Sequence, residues 1–143
     1  MIPQIGSYLP LYNYKIEHDL YRYGSKNRKY FKQYFGIKDM VEDHHIIPKE
    51  FRKHKFIRNI DYDVSSSRNI KIMCNHKNHL CETLTNRSIL IHHNGHIKYN
   101  LYVGKQLDKL VQKDLDIARY EFYLFIHYLE SMLDINNDNI PWK

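Results

Sequence analysis

Residues 91–100, Ile-His-His-Asn-Gly-His-Ile-Lys-Tyr-Asn, set His92 and His96 four positions apart. On a helix that spacing stacks two imidazoles on one face, where they can share a cation. Two histidines alone leave such a site incomplete. Nearly fifty residues earlier, Asp43-His44-His45-Ile46-Ile47-Pro48 places two adjacent histidines in a short apolar run. Neighbours along a strand face opposite ways, so one of this pair can ligate a metal while the other faces a substrate. Neutral imidazole is the commonest metal ligand and also accepts a proton near pH 7. Eight of the ten histidines lie between His44 and His96. The scattered His18, His54 and His127 are read as structural or surface residues.

The charge pattern supplies a partner for this chemistry. The chain carries a net charge of +6, and residues 1–60 hold twelve Lys/Arg against six Asp/Glu, whereas residues 105–143 hold five against seven. A basic half around the histidine pair favours a polyanion over a merely solvated surface. Lys49, Arg52, Lys53, Lys55 and Arg58 follow the pair and would track a phosphate backbone, with Arg68 and Lys98 as outer candidates. Such contacts are salt-sensitive and carry no sequence information. No segment reads as a membrane span or as a signal peptide, so the protein is expected to be intracellular. Ala118 is the only alanine while Ile, Lys, Asn and Tyr abound, a bias suggesting an AT-rich genome.

The elements that must position these residues follow from pattern. At 143 residues, with 43% hydrophobic and 14% aromatic side chains, the chain has material for one packed domain and not two. Residues 1–24 read as an irregular arm with at most a short helix over Lys15 to Tyr23. Ser25 can cap a helix through Phe35 that Gly36 stops, and the stripe Tyr30, Phe31, Tyr34 and Phe35 reads as core packing rather than base stacking. The run from Ile37 to Pro48 is β-like, and Pro48 ends it. Lys49 to Ile60 reads as a short basic helix or turn, Asp61 to Ser67 as a turn, and Arg68 to Met73 as a second strand. A helix is expected to begin near Asn94 or Gly95. From Gln106 to Asp134, Leu107, Leu110/Val111, Leu115, Ala118, Phe122, Phe125, Leu129 and Met132/Leu133 recur at three- and four-residue steps, which predicts one long amphipathic helix or two in sequence. A polar tail, 135–143, ends the chain, and Trp142 either docks or stays free.

The ordered pieces Asp43-His44-His45-Ile46-Ile47-Pro48, Asp61-Tyr62-Asp63, Arg68-Asn69-Ile70 and Ile91-His92-x-x-x-His96-x-Lys98-Tyr99-Asn100 resemble the AHH nucleases of the HNH, or ββα-metal, superfamily. The resemblance spans roughly residues 30 to 112. It implies His44 as a metal ligand, His45 as general base, Asn69 as the residue that holds the ββ loop and orients His45, and His92 and His96 as further ligands. Tyr99 and Asn100 match too, in structural roles. Asp43 stands where alanine is usual and Ile97 where proline is usual. Asp43 is a candidate for the metal's outer shell. His93 also lies within reach of His96 at i,i+3, and His92 is preferred to it.

The expected fold is therefore α+β: a ββα-metal (HNH) finger at about 39–112 within a mainly helical nuclease domain, 25–134, supported by the helix over 105–134. The expected activity is metal-dependent endonuclease cleavage of nucleic acid, DNA ahead of RNA, with one divalent ion (Zn, Ni, Mn or Mg). The alternative is a catalytically inactive module of the same fold that binds nucleic acid, and a third reading makes the histidines structural zinc ligands. Cys74-x-His76-x-x-His79-x-Cys81 carries the donors of a structural zinc, though in a tighter span than zinc fingers use. Free thiols in a reducing compartment are preferred there.

Overall fold

A computed structural model describes residues 21–74, 95–134 and 140–142. Helix α1, Lys26–Tyr34, starts where the Ser25 hydroxyl accepts the Arg28 amide at 3.1 Å. It ends at Gly36, whose φ of +68° is the left-handed conformation glycine adopts without strain. Strands β1, Val41–His45, and β2, Ile70–Cys74, pair antiparallel with His44 opposite Lys71 and His45 opposite Ile70. The ladder runs one bond further, Ile46 N–H to the Asn69 carbonyl at 2.8 Å, before Pro48 removes a donor.

Between the strands the chain makes a 3₁₀ helix at Lys49–Lys53, helix α2 at Lys55–Asn59, and a 3₁₀ turn at Ser67–Asn69. His54 caps α2, its Nδ1 accepting the Phe56 amide at 3.1 Å. Its Nε2 lies 2.7 Å from Asp108, so this histidine is structural, as expected. His127 is exposed, and His18 lies outside the described residues.

Helices α3, Gly95–Val111, and α4, Leu115–Asp134, complete the described elements. The periodic stretch is thus two helices, broken where the Asp114 side chain accepts the Asp116 amide and its carbonyl the Ala118 amide. Tyr99, Val103, Leu107 and Leu110 of α3 and Ala118, Phe122, Ile126, Leu129 and Leu133 of α4 bury one face each against Ile46, Ile47, Phe56, Ile57, Val64 and Met73. Each such side chain stabilises the fold by roughly 1.5–3 kcal/mol on burial. Two expected core positions differ: Leu115 is exposed, and Ile126 rather than Phe125 is the fully buried neighbour.

Two further expectations are corrected. Tyr30 and Tyr34 of α1 and Phe35 at its C-terminal cap are exposed, and the residue α1 buries is Arg28. Asp43 of β1 offers a carboxylate there, and a nine-residue helix docked through ion pairs leaves its aromatic stripe outside. In the polar tail, Ile140 and Trp142 are buried, with the indole 4.8 Å from the Tyr99 ring. No helix among the described residues is long and apolar enough to cross a membrane.

Candidate active site

Alternation along β1 puts His44 on the sheet face that meets α3 and His45 on the face that meets α1 and the segment before it. The His44 ring centre lies 5.6 Å from that of His96, in the first turn of α3, and 5.2 Å from that of Tyr99. Its Nε2 is buried and has no hydrogen-bond partner among the described residues. Burial, helped by the charges of His96, His45 and Lys71, lowers the pKa of His44 to about 3 and holds it neutral at pH 7.

His45 is half-buried, and its Nε2 is likewise without a partner among the described residues. Tyr23 packs edge-on against it at 4.4 Å, and the Lys49 ammonium sits 5.6 Å from the centre of that same tyrosine ring. Burial and the positive charges of Lys49 and Arg28 lower its pKa, against the opposing pull of Asp43.

Asp43 is engaged elsewhere than at His44. Arg28 grips both its oxygens, Nε at 2.8 Å and Nη2 at 3.0 Å, and Lys32 adds a contact at 2.8 Å. Burial pushes the carboxyl up, but the hydrogen bonds and charges of Arg28 and Lys32 outweigh it and leave the pKa below its ordinary value. An outer-shell role at a metal is not what this geometry offers. The reason is parity: Asp43 and His44 are adjacent on a strand and face opposite ways.

Asn69 is fully buried and spends its whole amide on the loop between the strands. Its Oδ1 accepts the Ile47 amide and the Tyr62 hydroxyl, both at 2.8 Å, and its Nδ2 donates to the carbonyls of Ile47 at 2.9 Å and Val64 at 2.7 Å. Its side chain reaches His45 only through the Ile47 backbone, two residues on, while its own carbonyl holds the Ile46 amide at 2.8 Å. Tyr99 adds a second tie, donating its hydroxyl to the Ile46 carbonyl. Asn100 bonds Glu50 across the 3₁₀ helix.

Lys49, Arg52, Lys53, Lys55 and Arg58 are all exposed. His92 and His93 lie outside the described residues, as do His76, His79 and Cys81, and of Cys74 only the backbone at the end of β2 is described. Among the described residues no three of His, Cys, Asp and Glu are grouped to hold an ion. The model of the AHH nuclease family, in the HNH/ENDO VII superfamily, matches residues 25–119. This chain belongs to the AHH nuclease family.

Membership makes the protein a nuclease, with nucleic acid as its substrate. No curated protein and no solved structure matches the chain significantly. In this AHH nuclease the matched span takes in α1, both strands, the loop Asn69 ties and all of α3. Sequence reasoning missed Arg28, Lys32 and Tyr23. The first two were visible as a basic i,i+4 pair; nothing local marked Tyr23 as the neighbour of His45.

Proposed function

We propose that this AHH nuclease is a metal-dependent endonuclease that hydrolyses phosphodiester bonds, DNA ahead of RNA. His45 is its general base, and His44 and His96, joined by His92, hold one divalent ion. The observation that carries this reading is the pair of buried Nε2 atoms, without a partner among the described residues, on adjacent histidines that face opposite sides of β1.

The donor set fits such an ion. A buried imidazole with an orphaned nitrogen is costly unless something binds it. The His44 and His96 ring centres lie 5.6 Å apart, near enough for both imidazoles to reach one ion. Imidazole donors favour Zn, Ni or Mn over Mg. When bound, the ion would neutralise charge on the scissile phosphate and the leaving oxygen.

The chain's own side chains do the rest. His45, its pKa lowered, presents a free base to a water on the opposite side of the strand. Tyr23 fixes its ring, and Asn69 fixes the turn that follows it. Lys49, Arg52, Lys53, Lys55 and Arg58 track the phosphates and set a steep salt dependence. A structural zinc on Cys74, His76, His79 and Cys81 would be a second ion, which metal analysis of the purified protein counts directly.

The test is nicking of supercoiled plasmid by chelator-treated protein, with each of the four metals restored in turn. Wild type is expected to cut, and His45→Ala to bind as well but turn over about 10²–10⁴-fold more slowly. Failure of the wild type on both plasmid and RNA, or equal rates for the two proteins, would refute the reading.

A further inference from the structure

The aromatic face of α1 has no place in the scheme above, yet it leaves large rings in water beside basic side chains. Tyr30, Tyr34 and Phe35 are 59%, 84% and 59% exposed. Phe31 lies 4.8 Å from Phe35, Phe35 lies 5.1 Å from Tyr34, and Tyr21 packs on Phe31 at 5.7 Å, while Tyr30 lines the same open surface depression as these four rings. Large rings left in water forgo the burial that would normally hold them in a core. From residue 26 to residue 38 the chain carries Lys26, Arg28, Lys29, Lys32 and Lys38 and no acid. Arg28 and Lys32 are spent on Asp43, whereas Lys26, Lys29 and Lys38 are exposed.

A second copy of the chain would bring like charges together on such a face, and an acidic partner alone would have no use for the rings. Bases with free faces, carried on phosphates, use both. In a duplex those faces are stacked on one another, so only an unpaired strand can offer them. We infer that the exposed aromatic face of α1 is a stacking platform for unpaired bases of the DNA strand that enters the His45 site.

This deepens the proposed nuclease reading and rests on it. Tyr30 and Tyr34 are one helical turn apart, about 5–6 Å between their β-carbons, room for one base on each ring. The platform also connects to the site. Arg28 of α1 holds Asp43, two residues from His45, and donates to the Tyr21 carbonyl at 2.9 Å, while Tyr23 lies against the His45 ring.

The experiment is fluorescence anisotropy of the full chain in chelator, so that nothing is cut, with a labelled oligothymidine and a duplex of equal length. Tyr30→Ala/Tyr34→Ala is expected to weaken single-strand binding by about 10-fold or more. Duplex binding and the melting temperature should stay unchanged, because both rings are exposed. Tyr30→Trp/Tyr34→Trp, which keeps flat faces, should bind the single strand at least as tightly as wild type. The inference is overturned if the alanine variant holds oligothymidine like wild type, or loses both nucleic acids equally. It is also overturned if gel filtration shows a wild-type dimer that the alanine variant makes monomeric. Wild type that binds neither nucleic acid would sink the nuclease reading as well, whereas sound duplex binding with an indifferent alanine variant removes the platform alone.

Discussion

Replacing Asn69 should do more damage than any other polar substitution in this protein. In Asn69→Ala, the Ile47 amide and the carbonyls of Ile47 and Val64 lose the side chain that satisfies them, all in buried surroundings. An unsatisfied buried group costs about 1–3 kcal/mol, so three of them, with some relaxation, should cost about 3–5 kcal/mol. A domain of this size has about 5–15 kcal/mol in all. Urea unfolding at pH 7 without metal, followed by far-UV circular dichroism, should show the midpoint fall by about 2 M. Asn69→Asp is the sharper probe. It keeps the shape and the acceptor but turns a donor pair into an anion facing two carbonyls, and it should be at least as destabilising as alanine. An aspartate variant as stable as wild type would refute the reasoning, since it would mean that the two donated bonds contribute nothing.

The remaining expectations concern the ion pair, the buried histidine and the docked tail. Arg28→Ala should lower stability by about 2–3 kcal/mol at neutral pH, as one support of a nearly buried carboxylate is removed. Because the Asp43 pKa is lowered in the fold, that contribution is present above pH 3.8 and is lost as the pH falls below it, so wild type and variant should converge in acid. His44, whose pKa drops from 6.5 to about 3, binds a proton more readily unfolded than folded. Metal-free protein should therefore lose stability as the pH falls below 6.5, and His44→Leu should flatten that slope in urea titrations at several pH values. Trp142 is the only tryptophan and is buried against Tyr99 and Tyr102. Its emission should be blue-shifted in the native protein, and Trp142→Ala should cost about 3–5 kcal/mol by thermal melting.

The helix cap at Ser25, the stop at Gly36, the strand ended by Pro48 and the periodic faces of α3 and α4 could be read from sequence, because each depends on neighbours within a few residues. So could the opposed directions of His44 and His45, which follow from the pleat of any strand. The stripe Tyr30, Phe31, Tyr34 and Phe35 misled, because helical spacing shows that residues share a face but not whether anything covers that face. Asp43 misled for a related reason. Its partner, Arg28, is fifteen residues away on another element, and only the packing of α1 on the sheet brings them together.

For this protein, sequence alone determined the candidate chemistry: a histidine pair on a strand, a histidine at a helix start, an asparagine between, and a basic segment beside them. Residue type and period suffice for the histidines and the basic segment, since proton affinity, ligand character and strand parity are local properties. The asparagine was marked only by the resemblance to the AHH nucleases. Tertiary structure decided which environment each group meets. It buried His44 against Tyr99 with His96 beside it, and set His45 against Tyr23, Asn69 across the loop, and the rings of α1 in water. Burial and partnership are made by segments tens of residues apart, and no local pattern encodes them.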